Sequence, residues 1–186
     1  MRILGISGSL RQVSHNSAAL EAVATLAPAD VEIVLYQSLG DLPLYNFDLD
    51  TQSPPAAVGE LRRLVGLSDG LLIASPEYAH GIAGPMKNAL DWLVGSAEFP
   101  EKPVALMNTS PRATHAQEQI REVLKTMSAS IIEEASFSLP LLGTALDASA
   151  IARSPELSDR ICEALLHLKN SLGEHTGSRE QGPHIL

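Results

Sequence analysis

Three short segments carry the residue types that could do chemistry. The first is Gly5-Ile6-Ser7-Gly8-Ser9-Leu10-Arg11, continuing through Ser14, His15, Asn16 and Ser17. Glycines permit close backbone approach, serine and asparagine side chains donate neutral hydrogen bonds, and a helix starting here adds unpaired N–H groups and its positive dipole end. With Arg11 as the one full positive charge, the segment suits a phosphate. It is not a Walker loop, because no Gly-Lys-Ser/Thr follows, and it lacks the Gly-x-Gly-x-x-Gly spacing of dinucleotide folds. Taken alone, it reads equally well as a tight turn with a helix cap.

The second segment is Ser75-Pro76-Glu77-Tyr78-Ala79-His80-Gly81-Ile82-Ala83-Gly84, and the third is Asn108-Thr109-Ser110-Pro111-Arg112. Neither supplies a catalytic triad, and no Gly-x-Ser-x-Gly elbow occurs in the chain. The 6 histidines show no close metal-ligand pair such as His-Glu-x-x-His, so no metal site is expected. The single cysteine, Cys162, lies in an apolar helical stretch and reads as structural.

Each segment must be positioned by the elements around it. Residues 1–6, 31–36, 71–74, 103–107 and 131–139 are apolar or β-branched runs that read as five strands. Between them, residues 17–26, 55–67, 85–93 and 116–127 have helix formers with apolar residues at helical spacing, the second started by Pro54-Pro55. A last helix starts at Ser154-Pro155-Glu156, with Leu157, Ile161, Cys162, Leu165, Leu166 and Leu168 on one side. Strands alternating with helices predict a parallel sheet with right-handed crossovers and helices on both faces. In such sheets ligands lie beyond the carboxyl ends of the strands. The three segments follow the first, third and fourth strands, and the strand order 2-1-3-4-5 brings them together.

The chain has 186 residues, which predicts one domain over residues 1–172 and a loose tail over residues 173–186. A net charge of -9 argues against nucleic acid and anionic membrane as partners. No apolar run is long enough to span a bilayer, and the N-terminus enters a strand without a signal-like core, so a cytoplasmic location is expected. Residues 40–55 are irregular yet apolar, with Leu42, Leu44, Tyr45 and Phe47, and should fold onto the domain, facing a ligand mouth or a partner chain.

Gly8-Ser9-Leu10-Arg11 with Ser14 and Asn16, then Pro76-Glu77-Tyr78, then Gly84 to Trp92 with Met86-Lys87-Asn88-Ala89-Leu90-Asp91, resemble the NAD(P)H-dependent FMN reductase family of flavodoxin-like proteins, which includes chromate-, quinone- and azo-reducing enzymes. The likeness spans residues 2–137. It implies a flavodoxin-like three-layer α/β sandwich, FMN as cofactor, NADPH or NADH as co-substrate, and a homodimer or homotetramer. It places Ser9, Arg11, Ser14, Asn16 and Ser17 on the FMN phosphate, the backbone of Pro76, Glu77 and Tyr78 along the isoalloxazine ring, and Ser110 on its other side.

Two departures stand out. Family members commonly have Asn after the Tyr, where this chain has Ala79 and then His80, and the third segment is usually glycine-rich, where this chain has Ser110-Pro111-Arg112. Proline stiffens that loop and Arg112 adds a cation, a candidate for a phosphate of the incoming nucleotide against the reading of a solvated loop arginine. His80 is a candidate for a substrate contact at the mouth. Glu77 reads either as a turn acid or as a ring neighbour acting through its backbone, Trp92 as a core or interface residue, and Asn88 as either a cap or a crosslink of the second segment.

The expected function is hydride transfer from NAD(P)H to bound FMN and on to a second acceptor, such as a quinone or another small electrophile. The cofactors perform that chemistry, so no catalytic side chain is required. The alternatives are a flavodoxin-type carrier that does not oxidise nicotinamide, and a flavin-free regulatory or assembly protein.

Overall fold

A computed structural model describes residues 1–180. In chain order the elements are β1 (Arg2–Ser7), α1 (His15–Leu26), β2 (Glu32–Tyr36), α2 (Ala56–Gly66), β3 (Gly70–Ala74), β4 (Glu77–Tyr78), β5 (Gly81–Ile82), α3 (Gly84–Leu93), β6 (Pro103–Asn108), α4 (Thr114–Thr126), β7 (Ser130–Ile131), β8 (Phe137–Ser138), α5 (Ala148–Arg153) and α6 (Pro155–Glu180). The main sheet is parallel in the order β2-β1-β3-β6-β7, with β8 pairing farther along β6. This is the expected order, with β6 as the fourth strand and β7 and β8 sharing the fifth position.

Strand alternation divides the core into two layers. Leu71 and Ile73 of β3 point into the layer formed by α2, α3 and α4, with Leu61, Leu90, Trp92 and Leu124. Their neighbours Leu72 and Ala74 point into the layer formed by α1, α5 and α6, with Leu20, Ile151, Ile161 and Leu165. Being covered on both faces, β3 is apolar throughout.

The fifth strand is not the single run read over residues 131–139. Two residues of β6 lie between Val104 and Met107, but five lie between their partners Ile131 and Phe137, and the excess arches out as a 3-10 turn at Glu133–Ala135. The Ser136 hydroxyl accepts from the Leu106 N–H at 3.0 Å, so a side chain replaces a ladder bond. A second addition is the antiparallel β4–β5 hairpin, within the segment read as a plain loop.

The last helix differs in which side it buries. Ile161, Leu165, Leu168 and Leu172 are buried, whereas Cys162 and Leu166 are exposed. At 100° per residue Cys162 and Leu166 lie about 100° and 140° round from Ile161, off the apolar stripe, so Cys162 is not part of the core. α6 continues to Glu180, into the stretch read as a tail, and residues 181–186 lie outside the described residues.

Residues 40–55 fold onto the domain through specific polar contacts. The Pro43 carbonyl accepts from Trp92 Nε1 at 2.7 Å and from Asn88 Nδ2 at 2.9 Å, while Asn88 Oδ1 accepts from the Tyr45 N–H at 2.8 Å. Asn88 therefore crosslinks this stretch, not the segment after β3. Trp92 is a core residue at 0 % exposure, with Tyr45 edge-on at 5.0 Å. Arg62 adds an ion pair to Asp50 at 2.9 Å, both largely buried, and also donates to the Trp92 carbonyl. Removing one partner of such a pair costs roughly 3–5 kcal/mol.

Candidate functional site

The loops after β1, β3 and β6 converge at the carboxyl edge of the sheet, as the strand order requires. They line a cleft of about 300 Å³, a volume in the range of cofactor sites. The first loop contributes Ser9, Arg11 and Ser14, and the start of α1 contributes His15 and Asn16. From the second come Ser75, Pro76, Glu77 and Tyr78, and from the third Asn108, Thr109, Ser110, Arg112 and Ala113. Leu142, after β8, forms an exposed lip.

The first two loops meet at Gly8. Its N–H donates to the Ala74 carbonyl at 2.7 Å, and a Cβ there would lie 2.8 Å from Ser75 Oγ. Glycine is thus needed for loop-to-loop packing, a different reason from close approach to a ligand.

α1 begins at His15, two residues earlier than its apolar pattern predicts, because Ser14 caps it: Ser14 Oγ accepts from the Ser17 N–H at 3.3 Å. The first turn contains no acid, so the helix presents its N–H groups and positive end to the cleft unopposed. Ser17 does not line the cleft, since its hydroxyl pairs with Ser7 Oγ at 3.0 Å. Asn16 is buried and its side-chain oxygen accepts from Thr109 Oγ1 at 2.9 Å, which leaves its amide hydrogens as donors.

Charge is distributed unevenly for a protein of net charge -9. Arg11 and Arg112 both line the cleft, both are exposed, and neither has an ion-pair partner among the described residues. The only acid lining it is Glu77, whose Oε2 accepts from the Ala116 N–H at 2.9 Å, at the start of α4. Its charge therefore faces a helix N-terminus. His80 lies on the hairpin turn outside the cleft lining, with Nδ1 3.4 Å from Glu77 Oε1 and its ring edge-on to His115 at 4.6 Å.

The cleft thus gathers hydroxyls, an amide, helix N–H groups and two unpaired guanidiniums, a donor set suited to an anionic ligand. A family model for NADPH-dependent FMN reductase matches residues 1–142. The chain belongs to that family. An NAD(P)H-dependent FMN reductase of Pseudomonas aeruginosa is 40% identical over 129 residues, covering 67% of this chain and 69% of the relative. The quinone reductase of Escherichia coli is 30% identical over 146 residues, covering 74% of this chain and 76% of the relative. Among solved structures, FerB, a flavoenzyme NAD(P)H:(acceptor) oxidoreductase from Paracoccus denitrificans, has a TM-score of 0.71 at 27% identity and covers 91% of this chain and 97% of that one.

As a family member the chain is an oxidoreductase that uses FMN and NAD(P)H. The electron-carrier and flavin-free alternatives fall away. The donor set of the cleft fits FMN. Of the residues assigned to this cofactor by the family resemblance, Ser9, Arg11, Ser14, Asn16, Pro76, Glu77, Tyr78 and Ser110 share one cleft, and Ser17 stands apart. Thr109 was missed. Its only sequence signal is its place at the end of β6, and its partner lies 93 residues away. No helix is long and apolar enough to cross a membrane, and no metal-binding group of His, Cys, Asp or Glu occurs among the described residues.

Proposed function

We propose that this FMN reductase passes electrons from NAD(P)H to a quinone or a similar small electrophile, and that the two arginines of the cleft divide its anionic ligands. The observation that carries this reading is the presence of two unpaired guanidiniums on different loops of one cleft. Arg11, with Ser9, Ser14, Asn16 and the α1 N-terminus, holds the FMN phosphate. Pro76, Glu77 and Tyr78 border the ring through backbone groups, with Ser110 opposite. Arg112 remains for a phosphate of NADPH. When bound, FMN supplies the hydride chemistry, and the chain supplies position and charge. A quinone acceptor is supported by relatives named quinone reductase.

The same reading includes a second copy of the chain. Leu44 and Phe47 are 83 % and 77 % exposed on a stretch that Asn88, Trp92 and Arg62 hold in place, and burying them needs a partner surface.

The test is spectroscopic. Purified protein mixed with FMN should turn yellow, bleach on addition of NADPH and recover its colour on addition of benzoquinone. Failure to bleach removes nicotinamide oxidation, and failure to recover removes the quinone. Light scattering at micromolar concentration decides the assembly, a monomer mass being the adverse result.

A further inference from the structure

The hairpin β4–β5 is fastened to α4 by hydrogen bonds between side chains on one element and backbone on the other. Glu77 Oε2 accepts from the Ala116 N–H at 2.9 Å, and Oε1 faces His80 Nδ1 at 3.4 Å. Gln119, one turn farther along α4, accepts from the Ile82 N–H at 3.2 Å and donates to the His80 carbonyl at 3.1 Å. α4 has no cap of its own, since the residue before it is Ala113. Capping acids ordinarily come from the first turn or the residue just before it. Here the acid comes from 39 residues earlier, on the opposite wall of the cleft.

Two further observations give this contact weight. The Glu77 side chain is only 12 % exposed although Tyr78, Ala79 and His80 beside it are exposed. Ala79 and His80 both adopt positive φ, at 50° and 56°, without being Gly or Asn. Strained turns of this kind persist where surrounding contacts over-determine them, and Glu77 and Gln119 are those contacts.

We propose that Glu77 is a positioning residue: its carboxylate, seated on the Ala116 N–H, fixes the spacing between the Pro76–Tyr78 wall and the Ser110–Ala113 wall of the cleft. The grip on a planar ring between those walls then depends on the length of this side chain more than on its charge. The inference rests on the reading of the cleft as the flavin site. It also explains how the one acid in the lining coexists with anionic ligands, because its lone pairs are directed at α4 and His80.

Two substitutions separate reach from charge. Glu77→Gln keeps an oxygen at the same distance and loses the charge, whereas Glu77→Asp keeps the charge and falls short of the Ala116 N–H by one methylene. Two measurements apply to each: amide exchange over residues 110–119 in protein freed of FMN, and the FMN dissociation constant by fluorescence quenching. Glu77→Asp should speed exchange in residues 113–117 and weaken FMN binding, each by roughly tenfold, while Glu77→Gln stays within about threefold of the parent in both. Any other ordering of the two variants overturns the proposal; in particular, Glu77→Gln losing FMN with unchanged exchange would mean that the charge acts on the ligand. If the parent protein binds no FMN, the cofactor reading fails, and the exchange comparison still decides whether Glu77 holds the two walls.

Discussion

The Thr109 hydroxyl donates to the Asn16 side-chain oxygen at 2.9 Å, with both residues buried, and so ties the first turn of α1 to the loop after β6. A helix start and a loop with no backbone ladder between them are thereby held in register. The bond also orients Asn16, committing its oxygen to the protein and leaving its amide hydrogens for an anion.

Replacing Thr109 with Val keeps the shape and removes the donor. The Asn16 oxygen is then buried without a partner, which costs about 1–3 kcal/mol. Thermal unfolding of the FMN-free protein should show the loss as a lower midpoint. An unchanged midpoint would mean that the bond adds nothing to stability.

Arg11→Ala removes the guanidinium on the α1 side of the cleft. FMN affinity should fall by about tenfold to a hundredfold, the scale of one charge-assisted hydrogen bond. Calorimetric titration reads this directly, and equal affinities would take Arg11 out of the phosphate site.

For Arg112→Ala, the KM for NADPH should rise by at least about fivefold more than the KM for NADH, because only NADPH carries the 2′-phosphate. Steady-state kinetics with both nucleotides is the check. Parallel changes would assign Arg112 to the shared pyrophosphate or to solvent.

Ala79 sits at φ 50° as the first turn residue of the β4–β5 hairpin, a position that favours Asn. Ala79→Asn should therefore stabilise the protein by about 1 kcal/mol. Urea denaturation would show a higher midpoint with the same slope; a lower midpoint would mean that the side chain meets something at the turn.

Tyr36 carries a buried hydroxyl without a hydrogen-bond partner among the described residues, and burial, reinforced by the negative charges of Asp41 and Glu60, pushes its pKa up to about 12. The unfolded chain ionises near the ordinary value of about 10. This group's stabilising share is complete below about pH 10 and is lost as pH rises from there to about 12, since only the unfolded state sheds the proton in that window. Tyr36→Phe should remove that part of the alkaline loss and, at neutral pH, add about 1 kcal/mol by deleting an unpaired hydroxyl. Denaturation curves at pH 8 and pH 11 test both statements, and identical pH slopes for the two proteins would refute the first.

Much of the fold was legible because its signals are local. Apolar runs marked β1, β2, β3 and β6, and helical spacing marked α2 and α3 within two or three residues. What escaped has a physical reason in each case. The β4–β5 strands have two residues each, and their Ala79-His80 turn lacks the Asn-Gly chemistry that marks such hairpins. The break between β7 and β8 depends on Ser136 standing in for a ladder bond, which no periodicity reports.

The sequence by itself determined three strand-end loops, their residue types and the single charge beside the first helix, because turn chemistry and apolar period are properties of neighbouring residues. Only the tertiary structure decided which polar side chains face the cleft and which hold its walls. Ser9 and Arg11 face it, Arg11 without an ion-pair partner among the described residues, whereas Asn16 and Glu77, also in its lining, are tied to Thr109 and Ala116. A buried polar group takes its partner from whatever segment the crossovers bring alongside, and that choice is written in the packing of distant elements.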